Sequence, residues 1–372
     1  MKQFDFKIII VILFCAVLFG TLFAFIILPK SDYSPAEKRY LTGAPNLSFE
    51  NILSGKFSEE AESFIADHIP GRKLLIGLSA NYDRLSLRQT TKDIYMGTSG
   101  RLYEKPNVLN ESIIRRNMAC INEFADNIGT QVEMMIVPSA GFIMQNDIKG
   151  LYDTYNDDKI ISAIYSQAGA HINTIDLLDS FSSAANGDEL YYKTDHHWTS
   201  RGAYSAYCVY MQAKGRLALP EDAYDINTAG GFHGSTYSRS TLWQVPSESI
   251  EMWTSNTTIS VEDTESDAVH KGVFFPENLD EDDKYTVFLD GNHSVITTHN
   301  PDGTGKLLVI RDSYANCLGC FLADSYETVT MVDLRYYKEP VSDLYREGNY
   351  DDVLILYSIG NFLSDANIIW LE

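Results

Sequence analysis

Apolar and polar residues follow three different rhythms along this chain. From Ile8 to Leu28 no residue is charged, and Gly20 and Thr21 are the mildest interruptions of an apolar run. About 20 such residues suffice for a helix to cross the hydrocarbon core of a bilayer. Next, Phe57, Ala61, Phe64 and Ile65, and then Leu74, Leu75, Leu78 and Tyr82, recur at helical spacing, with Asp67 to Arg72 between them. Two amphipathic helices joined by a Pro70-Gly71 turn are the expectation. The third rhythm starts at Asp93, where IYMGTSGRLYEKP predicts a hairpin turning at Thr98-Ser99-Gly100.

Thereafter helical and strand-like segments alternate. Ile113, Ile114, Met118, Ile121 and Phe124 share a face of a helix predicted from Asn110 to Ile128. It leads into Val132 to Pro138, a short apolar run suited to a buried parallel strand. A helix from Asp157 to Gly169 and a strand over His171 to Ile175 follow. Thr199 or Ser200 can cap a helix running to about Lys214. Strands are expected again at Leu307 to Ile310, Val329 to Leu334 and Val353 to Tyr357, with helices after Ser313 and near Val341. This alternation predicts a doubly wound α/β fold with a mostly parallel sheet. Between about Pro220 and Asn300 the periodicity fails, and we expect an irregular or β-rich insertion placed to shape a substrate groove. The organisation expected is a stub and membrane segment over 1–30, a juxtamembrane linker and helical region over 31–90, and a catalytic domain over 91–372.

Charge and cysteine content narrow the function. The 29 Lys and Arg face 51 Asp and Glu, a formal net charge of -22, which argues against sequence-independent binding to nucleic acid. Cys15 lies in the apolar run, and the other four cysteines are too few for a disulfide framework in a domain this long. Cys317-x-x-Cys320 falls on a predicted helix without a second pair, so the two are read as buried small side chains. A cleaved signal peptide would have a shorter apolar core and a small-residue cleavage site, for which Ala16 and Ala24 are weak candidates. The expectation is an uncleaved signal anchor, single-pass in the cell membrane, with the body outside the cytoplasm. Lysines flank the run on both sides, so the charge bias supports this orientation only weakly.

The candidate chemistry lies in YYKTDHHWTSRG, Tyr191 to Gly202, and in KLLVIRDSYANCLGCFLA, Lys306 to Ala323. A carboxylate beside a histidine fixes the imidazole tautomer and stabilises the imidazolium formed in acyl transfer, which suits Asp195 and His197. Ser313 sits between an apolar strand and a helix, where its hydroxyl is exposed and its amide can serve an oxyanion. Asn361 and Ser139, each just past an apolar strand, are further candidates for oxyanion or substrate binding, as are Arg311 and Tyr314 beside the serine. Trp198 would either hold the loop in place or stack on a sugar ring. Three of these have a plainer alternative: Asp312 or Ser313 as a helix cap, Asp195 and His197 as a surface ion pair, Gly360-Asn361 as a turn. Asp195, His196 and His197 could also hold zinc, although HExxH is absent and adjacent side chains point differently. No metal or cofactor is expected. His68, His233, His270, His293 and His299 are read as structural or surface residues.

TDHHWTSRGAY and LLVIRDSYAN resemble the signature blocks of the DHHW protein family, which is similar to the SGNH-hydrolase-like alginate O-acetyltransferases. The segments from Glu37 to Arg72 and from Gly97 to Pro106 also resemble that family, so the likeness runs from about Glu37 to Asn361 with a loose match in the insertion. It implies an SGNH-hydrolase-like three-layer αβα domain with Asp195 as orienter, His197 as general base and Ser313 as nucleophile. Arg311 stands where the usual Gly-Asp-Ser block has glycine, and His196 has no counterpart in the acetyltransferases' D-x-H pattern. Asp and His precede Ser, as in the permuted acetyltransferase branch, whose members work with a membrane-bound O-acyltransferase to modify a surface polysaccharide. The reading carried forward is a membrane-anchored O-acetyltransferase. Its rivals are a carbohydrate acetylesterase and a non-catalytic glycan-binding or scaffold protein.

Overall fold

The computed structural model describes every residue except 1–5, 36, 87, 89, 92, 149, 151–153, 185–189, 265 and 267. The chain divides into two compact units, Met1–Lys92 with Ser238–Gln244, and Asp93–Tyr237 with Val245–Glu372.

In the first unit, α1 (Phe6–Ile27) spans 22 residues. At 1.5 Å per residue that is about 33 Å, close to the thickness of a bilayer core. Among the described residues it is the one helix long and apolar enough to cross a membrane. After a short helix at Phe49–Leu53, two longer ones follow, α2 (Lys56–His68) and α3 (Arg72–Leu85). Ile69 is extended because Pro70 follows it, and Gly71 takes a φ of 75° that a side chain would resist. Their periodicity does not mark a core. Ile65, Leu74, Leu75, Leu78 and Tyr82 are all exposed.

The second unit opens with a hairpin, β1 (Ile94–Met96) and β2 (Leu102–Glu104), turning at Gly100 with φ 83°. Helix α4 (Glu111–Ile128) is capped by the Asn110 side chain and ended by Gly129 in the left-handed conformation. It delivers β3 (Val132–Val137), buried along its whole length. Then come α5 (Asp157–Tyr165), β4 (Ile172–Ile175) and α6 (Ser200–Ala213). The segment around 220–300 holds an antiparallel pair, β5 (Asp225–Phe232) and β6 (Glu248–Thr254), and the strands β7 (Ser260–Asp263), β8 (Val269–Lys271) and β9 (Val295–His299). The chain finishes with β10 (Lys306–Arg311), α7 (Ala315–Ser325), β11 (Thr328–Val332), α8 (Val341–Gly348), β12 (Asp352–Ser358) and the short α9 (Ile359–Ser364).

Eight strands form the main sheet in the order β8-β7-β9-β11-β10-β12-β3-β4. From β11 to β4 every pairing is parallel, and the three insertion strands extend that edge antiparallel. The insertion is therefore more regular than its composition suggests. In β9 two apolar residues are followed by Thr-Thr-His, too short an apolar signal to announce a sheet strand. Alternate residues feed two cores, as a pleated strand requires: Leu307 and Val309 pack on the side of α6 and α7, Leu308 and Ile310 on the side of α4, α5 and α8. The architecture is three-layered αβα, with Ser313 just past the carboxyl end of β10.

Candidate active site

The histidine loop is closed by its own backbone. Tyr191 and Trp198 form an antiparallel bridge, and Thr199 N donates to Leu190 O (2.9 Å). Thr199 then caps α6 by accepting from Gly202 N (3.3 Å). A Cβ on Gly202 would lie 2.2 Å from Leu190 O, so the loop can fold back onto the helix only over glycine. Residues 194–197 are thereby held at the tip.

The serine loop is fixed by Asp312. Its Oδ1 accepts from Tyr314 N (3.0 Å), and its Oδ2 accepts from Ser358 N and Asn361 Nδ2 (2.8 Å each). Tyr314 joins the two loops: its hydroxyl donates to His196 O, and its carbonyl accepts from Trp198 Nε1 (3.0 Å).

At the junction Asp195, His197 and Ser313 come together. His197 Nε2 lies 2.8 Å from Ser313 Oγ, and His197 Nδ1 lies 2.6 Å from Asp195 Oδ1. All three residues are buried. Burial acts to raise the Asp195 pKa, but the neighbouring histidines and the hydrogen bonds from His197 outweigh it and hold the carboxyl well below its ordinary value. Asp195 Oδ2 accepts from Ser235 N (2.5 Å). The ring of Tyr285 stacks on His197, with centroids 3.9 Å apart and planes 6° off parallel. The Ser313 amide has no hydrogen-bond acceptor among the described residues.

Residues 93–332 match the family model of the DHHW protein. The chain belongs to that family. The probable alginate O-acetylase AlgJ of Pseudomonas putida is 23% identical over 176 residues, 45% of this chain and 46% of the relative. The chain thus spans about half the length of that curated relative. A DHHW family protein from Eubacterium siraeum has a TM-score of 0.66 at 20% identity, covering 76% of this chain and 96% of that one. Bacillus cereus PatB1, solved with a sulfonyl adduct, has a TM-score of 0.62 at 21% identity, covering 73% and 96%. The fold of this DHHW protein is accordingly the SGNH-like α/β fold that the resemblance implied.

The other predicted site residues of the DHHW protein have partners within the fold. Asn361 has both amide groups engaged, Nδ2 on Asp312 and N on Ser358 Oγ (3.3 Å), so it buttresses the serine turn instead of facing an oxyanion. Ser139 N and Oγ both donate to the buried Asp157 (2.7 and 2.6 Å). Trp198 is wholly buried, which removes the sugar-stacking role and leaves the loop-holding one. Arg311 is buried too, its Nη1 donating to Asn292 (3.0 Å) and Asn316 (2.6 Å). Tyr314 is 3% exposed and ties the loops together.

Asp195, His196 and His197 offer ligand atoms within 4.8 Å of one another. Both His197 nitrogens already face Asp195 and Ser313, so a metal there would have to displace one of them. His196 Nδ1 instead meets Ser235 Oγ (2.6 Å). The Cys317 and Cys320 thiols are buried, and burial pushes the Cys317 pKa up to about 12, so neither is a ready thiolate.

Sequence reading missed Ser235, Gly234, Tyr285, Glu248 and Arg101. Four of them lie in the insertion, where no periodicity pointed to the site. A Cβ on Gly234 would sit 2.1 Å from Asp195 Cβ, so a glycine is needed where the insertion meets the histidine loop.

Proposed function

We propose that the protein is a membrane-anchored, extracytoplasmic O-acetyltransferase acting on a cell-surface polysaccharide through Ser313, His197 and Asp195. The observation carrying this is the continuous line Ser313 Oγ, His197 Nε2, His197 Nδ1, Asp195 Oδ1, with contacts of 2.8 and 2.6 Å. A surface ion pair has no need of a serine on its far side. His197 takes the Ser313 proton as Oγ attacks the acetyl carbonyl carbon, with charge on the carbonyl oxygen directed to the Ser313 amide. The donor's C–O bond then breaks, and the proton passes from His197 to the departing oxygen. In the second half an acceptor sugar hydroxyl gives its proton to His197 and attacks the acetyl carbon, and Ser313 Oγ leaves and recovers the proton. Asp195 keeps the imidazole in the required tautomer throughout. The name of the AlgJ relative supports acetyl transfer, and helix α1 supports an anchor. A membrane-bound O-acyltransferase is the partner we infer for acetyl supply.

The test incubates the protein with an activated acetyl ester and maps acetyl by intact mass and peptide analysis. Label on Ser313 that vanishes in Ser313→Ala and His197→Ala supports the acyl-enzyme. A sulfonyl fluoride, the class of group that gives a sulfonyl adduct, serves as a second probe. Acceptor sugars then separate transfer from hydrolysis, since an esterase releases acetate to water at the same rate with or without them. Absence of label and of acetate release, with wild type and variants alike, would sink the enzyme reading in favour of glycan binding.

A further inference from the structure

We propose that the exposed face of α3 lies in the interfacial layer of the bilayer that α1 crosses, as a second membrane contact besides the anchor. This rests on the reading of α1 as an anchor. Leu74, Leu75, Leu78, Tyr82 and Leu85 are 49 to 83% exposed. At 3.6 residues per turn they occupy an arc of about 100°, the width of an apolar stripe that normally faces a core. The other side of the helix is already covered. Gly77 and Ala80 are buried, and a Cβ on Gly77 would lie 2.3 Å from Trp243 Nε1. Helix α3 thus packs one side within its own unit and turns an apolar side outward.

What covers that side follows from where the helix starts. The ends of α1 and α2 touch. The rings of Phe25 and Phe64 meet edge to face with centroids 6.0 Å apart, and His68 Nε2 lies 3.1 Å from Ser31 O. Phe25 belongs to the apolar span, and Ser31 follows shortly after its end. Only Ile69, Pro70 and Gly71 separate His68 from α3. Arg72, the first residue of α3, donates from Nε to Ala66 O (2.8 Å) and pairs with Glu37. With α1 across the bilayer, α3 begins at its surface.

Composition suits that place. Leucines and a tyrosine on one face of a helix with polar residues opposite favour lying in the interface, where tyrosine sits at the headgroup level. At 14 residues α3 is too short to span. Charge does not oppose the contact. Through residue 92 the chain has 11 Lys and Arg against 9 Asp and Glu, whereas the remainder has 18 against 42. The excess acid that an anionic lipid surface would repel therefore lies beyond this region. On the helix itself, Asp83 is paired with Arg88 (2.8 Å), while Lys73 and Arg84 are exposed and have no ion pair among the described residues. Weak adsorption suffices, because α1 holds α3 at the surface and makes the binding intramolecular.

The test uses the full chain in vesicles of phosphatidylcholine and phosphatidylglycerol, with or without bromine on the acyl chains. Tyr82→Trp places an indole on the exposed face, and the emission it adds to that of the 4 natural tryptophans is compared between the two vesicles. We expect bromine to quench about half of the added emission or more. Adding Leu74→Ser and Leu78→Ser, both at exposed positions, should abolish the quenching at an unchanged melting temperature. Flotation after a carbonate wash tests the anchor separately. A chain that floats while the added emission stays unquenched overturns the membrane contact and leaves the anchor standing. Shielding of that indole from aqueous iodide would then show a second copy or a protein partner on the face. Quenching that survives Leu74→Ser with Leu78→Ser also overturns the proposal, since the apolar face would not be what holds the helix. A chain that fails to float brings down the anchor and the proposal with it.

Discussion

The two loops that meet at the site are held by different means. The serine turn is fixed by the sheet that delivers it: Asp312 N donates to Leu356 O (3.2 Å), and the Asp312 carboxylate gathers donors from its own turn and from the end of β12 and start of α9. The histidine loop is clamped by pieces distant in sequence. Arg101 Nη1 donates to Tyr191 O and Tyr192 O (2.7 Å each). Glu248 accepts from Lys193 N (2.7 Å) and from Thr194 N (2.6 Å) and Oγ1 (2.5 Å). Ser235 and Tyr285 add a hydrogen bond to Asp195 and a ring on His197. The nucleophile is thus placed by the parallel sheet, and the base by the hairpin and the insertion.

Breaking the junction itself should have the largest effect. Ser313→Ala and His197→Ala are each expected to lower acetyl transfer by about 10⁴ or more, with the double variant little worse than either, because the groups act as a unit. Additive losses in kinetic assays would mean that the two do not share a step. Next comes the serine turn. Asp312→Ala strips one buried carboxylate from three donors, and about 2–4 kcal/mol of stability should go with it, read as a shift in the urea midpoint. Glu248→Ala also strips three donors, but they are exposed or partly buried, where water replaces the carboxylate. A loss of about 1 kcal/mol with a roughly tenfold fall in kcat and little change in KM is expected, since the loop loosens while the fold stays. If Glu248→Ala costs as much stability as Asp312→Ala, the contrast between a sheet-borne turn and a clamped loop is wrong.

The same contrast explains what was legible in the sequence. Ser313 could be read because a four-residue apolar run, a polar break and a helix state its position locally. The parallel core could be read for the same reason, from Val132 to Pro138, Leu307 to Ile310 and Val353 to Tyr357. Asp195 and His197 were marked by residue type and by the family blocks, and the cap at Thr199 fixed their place in a loop. Their supports were illegible because each contact bridges tens of residues: 40 separate Ser235 from Asp195, 54 separate Glu248 from Thr194, and 91 separate Arg101 from Tyr192. Asn361 misled for the opposite reason. A Gly-Asn pair after a strand does sit beside the serine turn, but its amide completes the ring of donors around Asp312.

The smallest expected effect concerns His196, whose side chain is 25% exposed. Desolvation and the nearby His197 both lower its pKa from the usual 6.5. Above that value His196 is neutral in both folded and unfolded chains and contributes nothing to the pH dependence. As pH falls below about 6.5 the unfolded chain takes up a proton there before the folded protein does, so stability drops with acidification. Asp195, also depressed, shifts stability in the same direction, but only as pH falls below its ordinary 3.8 and on through its folded value. The two windows are separable. His196→Gln should therefore reduce the loss of melting temperature between pH 7 and pH 5 and leave the steeper loss below pH 4 in place. An unchanged slope between pH 7 and pH 5 would show that His196 titrates alike in both states, and that its contact with Ser235 holds the loop without holding the ring neutral.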